Sequence, residues 1–369
     1  MSISDIRRLR LANQWLAPRR DASASEVVTH LGALQSQELW SGEWSIGVRS
    51  SSLDAAAVHA ATAGREILRT WPMRGTIHFV PAADAGWMLE LGRTSAFKGV
   101  ERRRAFLGLD EKDAIASIGL LRSALDAGEP VTRAECLRML TDAGVMTEPR
   151  HGYHLLWFAA QHGAICIGPQ VGKEQTFVAL DRWVARPVQR SRDEALAELA
   201  VRYFDAHGPA PAGELGRWSA LPAADVRRAI ELGEDRLVPV DTELGAMLVG
   251  AGVAESLDGS PIEPPEESST IRLLPGFDEY VLGYGDRSAM MTPEQAKLVV
   301  PGGNGVFRPT VIDDGVVVGT WKRTVRSARV DVVVAPFGNL TARQRRGIER
   351  AAGEYGRFLG VEARTVSAD

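Results

Sequence analysis

Cysteine is scarce in this chain, with two in 369 residues, Cys136 and Cys166. They lie far apart and neither sits in a CxxC pair, which excludes a disulfide framework and a cysteine-rich zinc module and fits a reducing compartment. Long apolar runs are missing too, so no segment has the length of a membrane span. The opening stretch MSISDIRRLRLANQ has no uninterrupted apolar core of the kind a secretory leader needs. The expectation is a cytoplasmic protein that does not contact membrane. An excess of positive charge is also lacking, since the formal net charge is −4. Basic residues are nevertheless grouped: Arg7, Arg8 and Arg10; Arg102 to Arg104; Lys322, Arg323, Arg326 and Arg329; Arg343, Arg345 and Arg346. Each group taken alone reads as a solvated face.

Several site signatures are absent as well. There is no G-x-x-x-x-G-K-[ST] loop and no strand-linked G-x-G-x-x-G, so no nucleotide cofactor is expected. The Gly-rich PGGNG at 301–305 lacks a phosphate-binding lysine and reads as a loop. His151, His154, His162 and Cys166 lack zinc-site spacing and read as packed or surface side chains, so no metal is expected. No G-x-S-x-G elbow marks a hydrolase serine.

What is present is an ordinary globular composition, 45% hydrophobic and 24% charged, at a length that implies two to four modules. The first eighty residues read as helix (Ile3 to Leu16), helix (Ser23 to Leu34), helix (Leu53 to Ala63) and a strand at GTIHFV. Helices followed by a hairpin are the order of a winged helix. The order returns over 113–180 and again over 193–249, as a repeat of architecture without a residue-level repeat. The stretch LDGSPIEPPEESS has the composition of an exposed linker. After it, Asp314-Gly315 between two β-rich runs signals a hairpin, and a last helix opens at Thr341 with Gln344 at capping-box spacing. The fold class is therefore α+β, tandem winged helices with a C-terminal β-rich module. The units are drawn at 1–110, 111–190 and 191–256, with the module at 270–369.

One short stretch stands out, HLGALQSQELW at 30–40. Ser23 and Glu26 have the spacing of a capping box, and Val27, Val28, Leu31 and Leu34 give the following helix a buried face. In a continuing helix Gln35 and Gln37 would point to nearly opposite sides. They share a face only if the helix ends near Leu34 and the chain becomes extended. Read without further context, they are helix-end amides satisfying loose backbone groups. Farther along, Asp278 and Glu279 in PGFDEYVLGY read from composition as a turn at a sheet edge.

LGALQSQELW, RTWPMRGTIHFVPAAD, LLPGFDEYVLGYGDR and GVFRPTVIDDGVVVGTWKR together resemble the bacterial AlkZ-like winged-helix family, which includes the YcaQ-type proteins, over nearly the whole chain. The resemblance implies tandem winged helices around a cleft for double-stranded DNA. It also implies a monofunctional DNA glycosylase that removes N7-alkylated purines and unhooks interstrand crosslinks or bulky natural-product adducts, in repair or antibiotic self-resistance. The family's catalytic signature is Gln, one residue, then Gln or Asp, and Gln35-Ser36-Gln37 matches the two-glutamine branch. The middle position is usually apolar in that family and is Ser36 here. A T-x-H element near the cleft is matched by Thr76-Ile77-His78, which makes Thr76 and His78 catalytic or cleft-lining. Strand alternation agrees, because with Ile77 and Phe79 facing a core the other two face away. Lys322, Arg323, Arg326 and Arg329 are expected to grip DNA phosphates, in a chain expected to be monomeric. The alternatives are a non-catalytic winged-helix DNA-binding regulator and a scaffold whose winged helices mediate protein contacts.

Two amides suit such chemistry. Breaking an N-glycosidic bond passes through an oxocarbenium-like sugar. An N7-alkylated guanine already carries positive charge, so its departure needs no acid. What remains is to hold a water and to surround the cation with oriented dipoles, which a glutamine carbonyl can do without being a base. Glu38 reads as a solvated helix-end residue.

Overall fold

The computed structural model describes residues 1–255 and 271–367. The stretch at 257–269, expected to be a linker, lies outside the described residues. The chain begins with α1 (Ile3–Asn13), then runs α2 (Ala24–Leu31), β1 (Leu34–Gln35), α3 (Leu39–Gly47), α4 (Ala55–Ala63) and the hairpin β2 (Ile67–Met73) and β3 (Thr76–Pro81). After α5 (Ala85–Ala96) and α6 (Val100–Leu107) the order helix, strand, helix, helix, strand, strand recurs. Its second occurrence is α7 (Glu111–Ala124), β4 (Val131–Thr132), α8 (Arg133–Asp142), α9 (His151–Gln161), β5 (Ile165–Val171) and β6 (Glu174–Ala179), closed by α10 (Leu180–Trp183). The third is α11 (Arg192–His207), α12 (Ala212–Ser219), α13 (Ala223–Leu232), β7 (Leu237–Thr242) and β8 (Gly245–Gly250), followed by α14 (Ala251–Ala254). Here a single bridge from Ala210 to Leu248 stands where the other two have their first strand.

The helical trio of the first unit is not the one expected from the sequence. It is α2, α3 and α4, while α1 packs beside α11 of the third unit, where Arg10 and Asn13 donate to the carbonyls of Pro209 and Gly208. The unanticipated helix is α3, LWSGEWSIG, whose two glycines hide its character. Both are needed for close approach: a Cβ on Gly42 would lie 2.5 Å from the Ser36 Cβ, and one on Gly47 would enter the Phe358 ring.

The first two hairpins are not separate wings. β2 pairs with β5 through Arg69 and Ile167, giving one six-stranded sheet in the order β1-β3-β2-β5-β6-β4. The cores cross in the same way, with Trp71 and Ile77 of the first hairpin buried among Leu155, Phe177 and other residues of the second unit.

The C-terminal module comprises β9 (Arg272–Leu274), α15 (Glu279–Leu282), α16 (Pro293–Val299), β10 (Thr310–Asp313), β11 (Val316–Val325), β12 (Arg329–Pro336), α17 (Ala342–Leu359) and β13 (Glu362–Ser367). Its five strands are ordered β13-β12-β11-β10-β9, with β13 parallel to β12. The β10–β11 turn has Asp314 and Gly315 at positive φ, the backbone the Asp-Gly signal demands. Thr341 and Gln344 form the expected capping box on α17, whose helical run ends at Gly360 in the left-handed conformation.

Candidate active site

The capping box at Ser23 and Glu26 starts α2, and Gly32 at φ 76° ends it, three residues before the first glutamine. The backbone then becomes extended, and β1 lies antiparallel on β3 with Leu34 opposite Phe79 and Gln35 opposite His78. The break thus comes slightly earlier than Leu34, and it is the β3 ladder that positions the motif.

Both glutamine side chains hang on the β2–β3 hairpin. Gln35 Oε1 accepts from the Arg74 guanidinium at 3.3 Å, and Gln37 Oε1 accepts from the Ile77 backbone N–H at 3.2 Å. Each carbonyl has a second lone pair and each amide has two N–H donors beyond these bonds. The two differ in exposure, however. Gln35 is buried at 6% exposed, whereas Gln37 is exposed and lines a cavity of about 300 Å³ with Trp71, Ile77 and Tyr153. Glu38 points away as expected, exposed and accepting from the Trp40 indole N–H at 2.9 Å.

Behind Gln35 lies a largely buried polar network. Arg74 occupies the β2–β3 turn at φ 54°, a strained conformation for a non-glycine residue. Its side chain donates to the Trp218 carbonyl at 2.6 Å and contacts His78 Nε2 at 2.9 Å. His78 Nδ1 lies 2.9 Å from the Thr76 carbonyl, so the ring donates there and accepts from Arg74. Burial and then the Arg74 charge push the His78 pKa down to about 3. Ile77 and Phe79 enter core clusters as expected, with Ile77 also reaching the cavity beside Gln37, while His78 on the other face is wholly buried against Arg74. Thr76 is half-buried beside it, its hydroxyl oxygen buried and without a hydrogen bond among the described residues. A neutral His78 that accepts from Arg74 has no lone pair free in this arrangement.

Glu279 closes the network. One of its carboxylate oxygens accepts from the Gln35 N–H at 3.3 Å, the other accepts from Trp218 Nε1 at 2.8 Å and lies 3.5 Å from His207 Nε2. Burial pushes this carboxyl up, but His207 and the Arg74 charge outweigh it and hold it below the usual carboxylate range. Its neighbour Asp278 is equally buried, taking Arg49 in a bidentate pair at 2.7 and 2.9 Å and capping α15 through Tyr280 N–H. The sheet-edge turn expected for these two acids is therefore a fully buried helix start. Apart from the pair itself, no local signal marks it, because the partners are Arg49, Trp218 and His207 from distant parts of the chain. Arg74 and Arg69 were visible only as letters within RTWPMRGTIHFV.

The four expected phosphate contacts lie around the β11–β12 hairpin, whose turn spans Arg326 to Arg329 with Arg326 N–H donating to the Arg329 carbonyl at 2.8 Å. Lys322 is exposed. Arg326 and Arg329 are partly exposed and share Asp331 at 2.9 and 3.1 Å. Arg323 departs from the expectation: its guanidinium lies 3.9 Å over the Trp40 ring and donates to the Tyr355 hydroxyl at 2.7 Å, which ties the hairpin to α3.

A helix-helix-hairpin order that recurs three times is joined to a β-rich module, with the two glutamines at the junction of the first hairpin. The chain belongs to the DNA glycosylase AlkZ-like family, whose model matches residues 28–358. It is similar to an interstrand DNA cross-link repair glycosylase of Streptomyces sahachiroi, 29% identical over 367 residues and 95% of each chain. It is also similar to the solved structure of the Streptomyces sahachiroi DNA glycosylase AlkZ, with a TM-score of 0.81 and 27% identity, covering 99% of this chain and 100% of that one. Family membership sets aside the regulator and scaffold readings. No helix among the described residues is long and apolar enough to cross a membrane.

Proposed function

We propose that this glycosylase hydrolyses the N-glycosidic bond of N7-alkylated purines in duplex DNA, including purines joined in interstrand crosslinks. The observation that carries the reading is a site with two tethered amides and, among the described residues, no side chain placed to act as a base. His78 is buried, neutral and occupied, Glu279 is buried with one hydrogen bond to each oxygen, and Glu38 faces away. A site of this kind favours leaving groups that already carry positive charge, because it has no strong base to activate water. In this reading Gln37 holds the attacking water from the exposed side, and Gln35, oriented by Arg74, directs a dipole at the developing sugar cation. The exposure of Gln37 suits a bulky or crosslinked base that is not drawn into a closed pocket. The cross-link repair activity named for the Streptomyces relative supports the crosslinked substrate. The test is incubation with a 7-methylguanine duplex, followed by chromatography of released base. Release of 7-methylguanine with unmodified guanine left in place is the expected result. No release, or equal release of unmodified guanine, would overturn the reading.

A further inference from the structure

The cavity beside Gln37 lies at the seam where the two hairpins merge. Arg69 and Trp71 come from β2, Arg133 from the start of α8, Gln170 from β5 and Gln175 from β6, around a volume of about 300 Å³. Besides Gln37 the rest of its wall is aromatic or aliphatic, and no carboxylate among the described residues lines it. That is a local departure from a chain in which 47 acidic residues outnumber 43 basic ones.

Arg69 is the informative residue. It is only 6% exposed, and a buried guanidinium ordinarily needs a carboxylate partner. Here it has two neutral oxygens of Ser36: Nε donates to Oγ at 3.3 Å and Nη2 to the carbonyl at 2.7 Å. Nη1 makes no hydrogen bond among the described residues. Glu43, the acid whose charge acts on Arg69, is bonded instead to His59 at 2.7 Å and makes no ion pair with it. The guanidinium is thus a buried cation with no ion-pair contact, offset only by the nearby charge of Glu43 and bonded to Ser36, the residue before Gln37.

Two arginines without a carboxylate repel a cationic purine and attract a dianionic or monoanionic oxygen group. We propose that this seam cavity is a phosphodiester site, in which Arg69 and Arg133 hold the backbone phosphate next to the lesion and so set the sugar against Gln37. The assignment rests on duplex DNA being the substrate, as proposed above. An adjoining cavity of about 280 Å³ shares Tyr153 and adds Lys98, Arg103 and Arg150, the last paired with Glu148, with no carboxylate among the described residues in its lining, and it extends the same path along the DNA strand.

The test uses binding, which does not require excision. A short duplex with a central tetrahydrofuran abasic site carries a single neutral methylphosphonate, moved one position at a time along the modified strand. Affinity is read by fluorescence anisotropy for the wild type, Arg69→Gln, Arg69→Lys and Arg133→Gln, with folding checked by thermal melting. At one phosphate flanking the abasic site, neutralisation weakens wild-type binding roughly tenfold, as expected for a lost charge-assisted hydrogen bond. Arg69→Gln and Arg133→Gln bind the unmodified duplex more weakly but lose nothing further at that phosphate, and Arg69→Lys keeps part of the sensitivity. If Arg69→Gln fails to fold, Arg133→Gln, whose side chain is exposed, carries the comparison. Equal losses in wild type and variants at every position would overturn the proposal. So would a wild type indifferent to both flanking phosphates. Intact coupling in a protein that releases no 7-methylguanine would sink the excision reading alone.

Discussion

Gln35 and Gln37 are held by different donors, and this separates their expected effects from a purely structural role. The 3.3 Å bond from Arg74 and the 3.2 Å bond from Ile77 N–H orient the amides without using up either one. Replacing either glutamine with alanine removes a hydrogen bond needed mainly in the transition state, typically about 1–3 kcal/mol, so excision slows roughly ten- to hundredfold. DNA affinity barely changes, because phosphate contacts supply most of the binding. Gln37→Asp keeps measurable activity, since an exposed carboxylate there adds a base. Single-turnover excision of 7-methylguanine beside a binding titration checks these outcomes, and a parallel collapse of both would make the pair structural. A second expectation concerns pH. With His78 lowered to about 3 and Glu279 held below the ordinary carboxylate range, neither changes protonation at neutral pH. His78 stays neutral and Glu279 stays ionised as pH rises from 6 to 9. The single-turnover rate is therefore expected to be flat across that range, and a bell-shaped profile centred near 7 would reveal a base not placed here.

At the scale of elements, two hairpins carry the residues whose roles can be tested. The β2–β3 hairpin carries Arg74 in a strained turn, and its side-chain bonds to Trp218 and His78 over-determine that backbone. The β11–β12 hairpin is anchored by Arg323 on Trp40 and Tyr355, leaving Lys322, Arg326 and Arg329 exposed, and these three are the ones proposed to meet DNA phosphates. Neutralising Arg326 and Arg329 together should lower the slope of log affinity against log salt by roughly one to two units. An unchanged slope would mean that both do no more than hold Asp331. Neutralising Arg323 acts differently, loosening the packing of the hairpin on α3 and lowering thermal stability.

Across the whole molecule, the two acids at the start of α15 join parts that are far apart in sequence. Glu279 touches the first unit at Gln35 and the third at Trp218, while Asp278 pairs with Arg49, both side chains fully buried. Ser45 donates to the same carboxylate at 2.6 Å, and Gln14 accepts from Arg49 at 2.9 Å while donating to Tyr284. Removing one partner of such a pair leaves an uncompensated buried charge, at a cost of about 3–5 kcal/mol. Asp278→Ala is accordingly expected to lower the melting temperature sharply and to reduce excision with it. Wild-type melting would show that the junction between module and units is held elsewhere.

Local signals in the sequence determined much of this protein. The capping boxes at Ser23 and Thr341, the Asp314-Gly315 turn, and the helix-helix-hairpin order of the second and third units follow from residues within a few positions of each other, where capping and turn chemistry act. The Gln-Ser-Gln motif was legible as a break in a helical pattern, and the family likeness supplied its meaning. Helix α3 was not legible, because Gly42 and Gly47 are dictated by contacts with Ser36 and Phe358, whose positions only the folded chain sets. Alternation put Ile77 and Phe79 on a core side, and both are buried there, but it does not say whether the opposite side is covered, and the folded chain buries His78 against Arg74 as well. The charges behind the site belong to the tertiary structure alone. Glu279 and Asp278 hold their unusual environments through Gln35, Trp218 and Arg49, 61 to 244 positions away, and Arg74 through Trp218, 144 away, besides its nearer partners, and burial, which no short window of sequence encodes, makes those charges consequential.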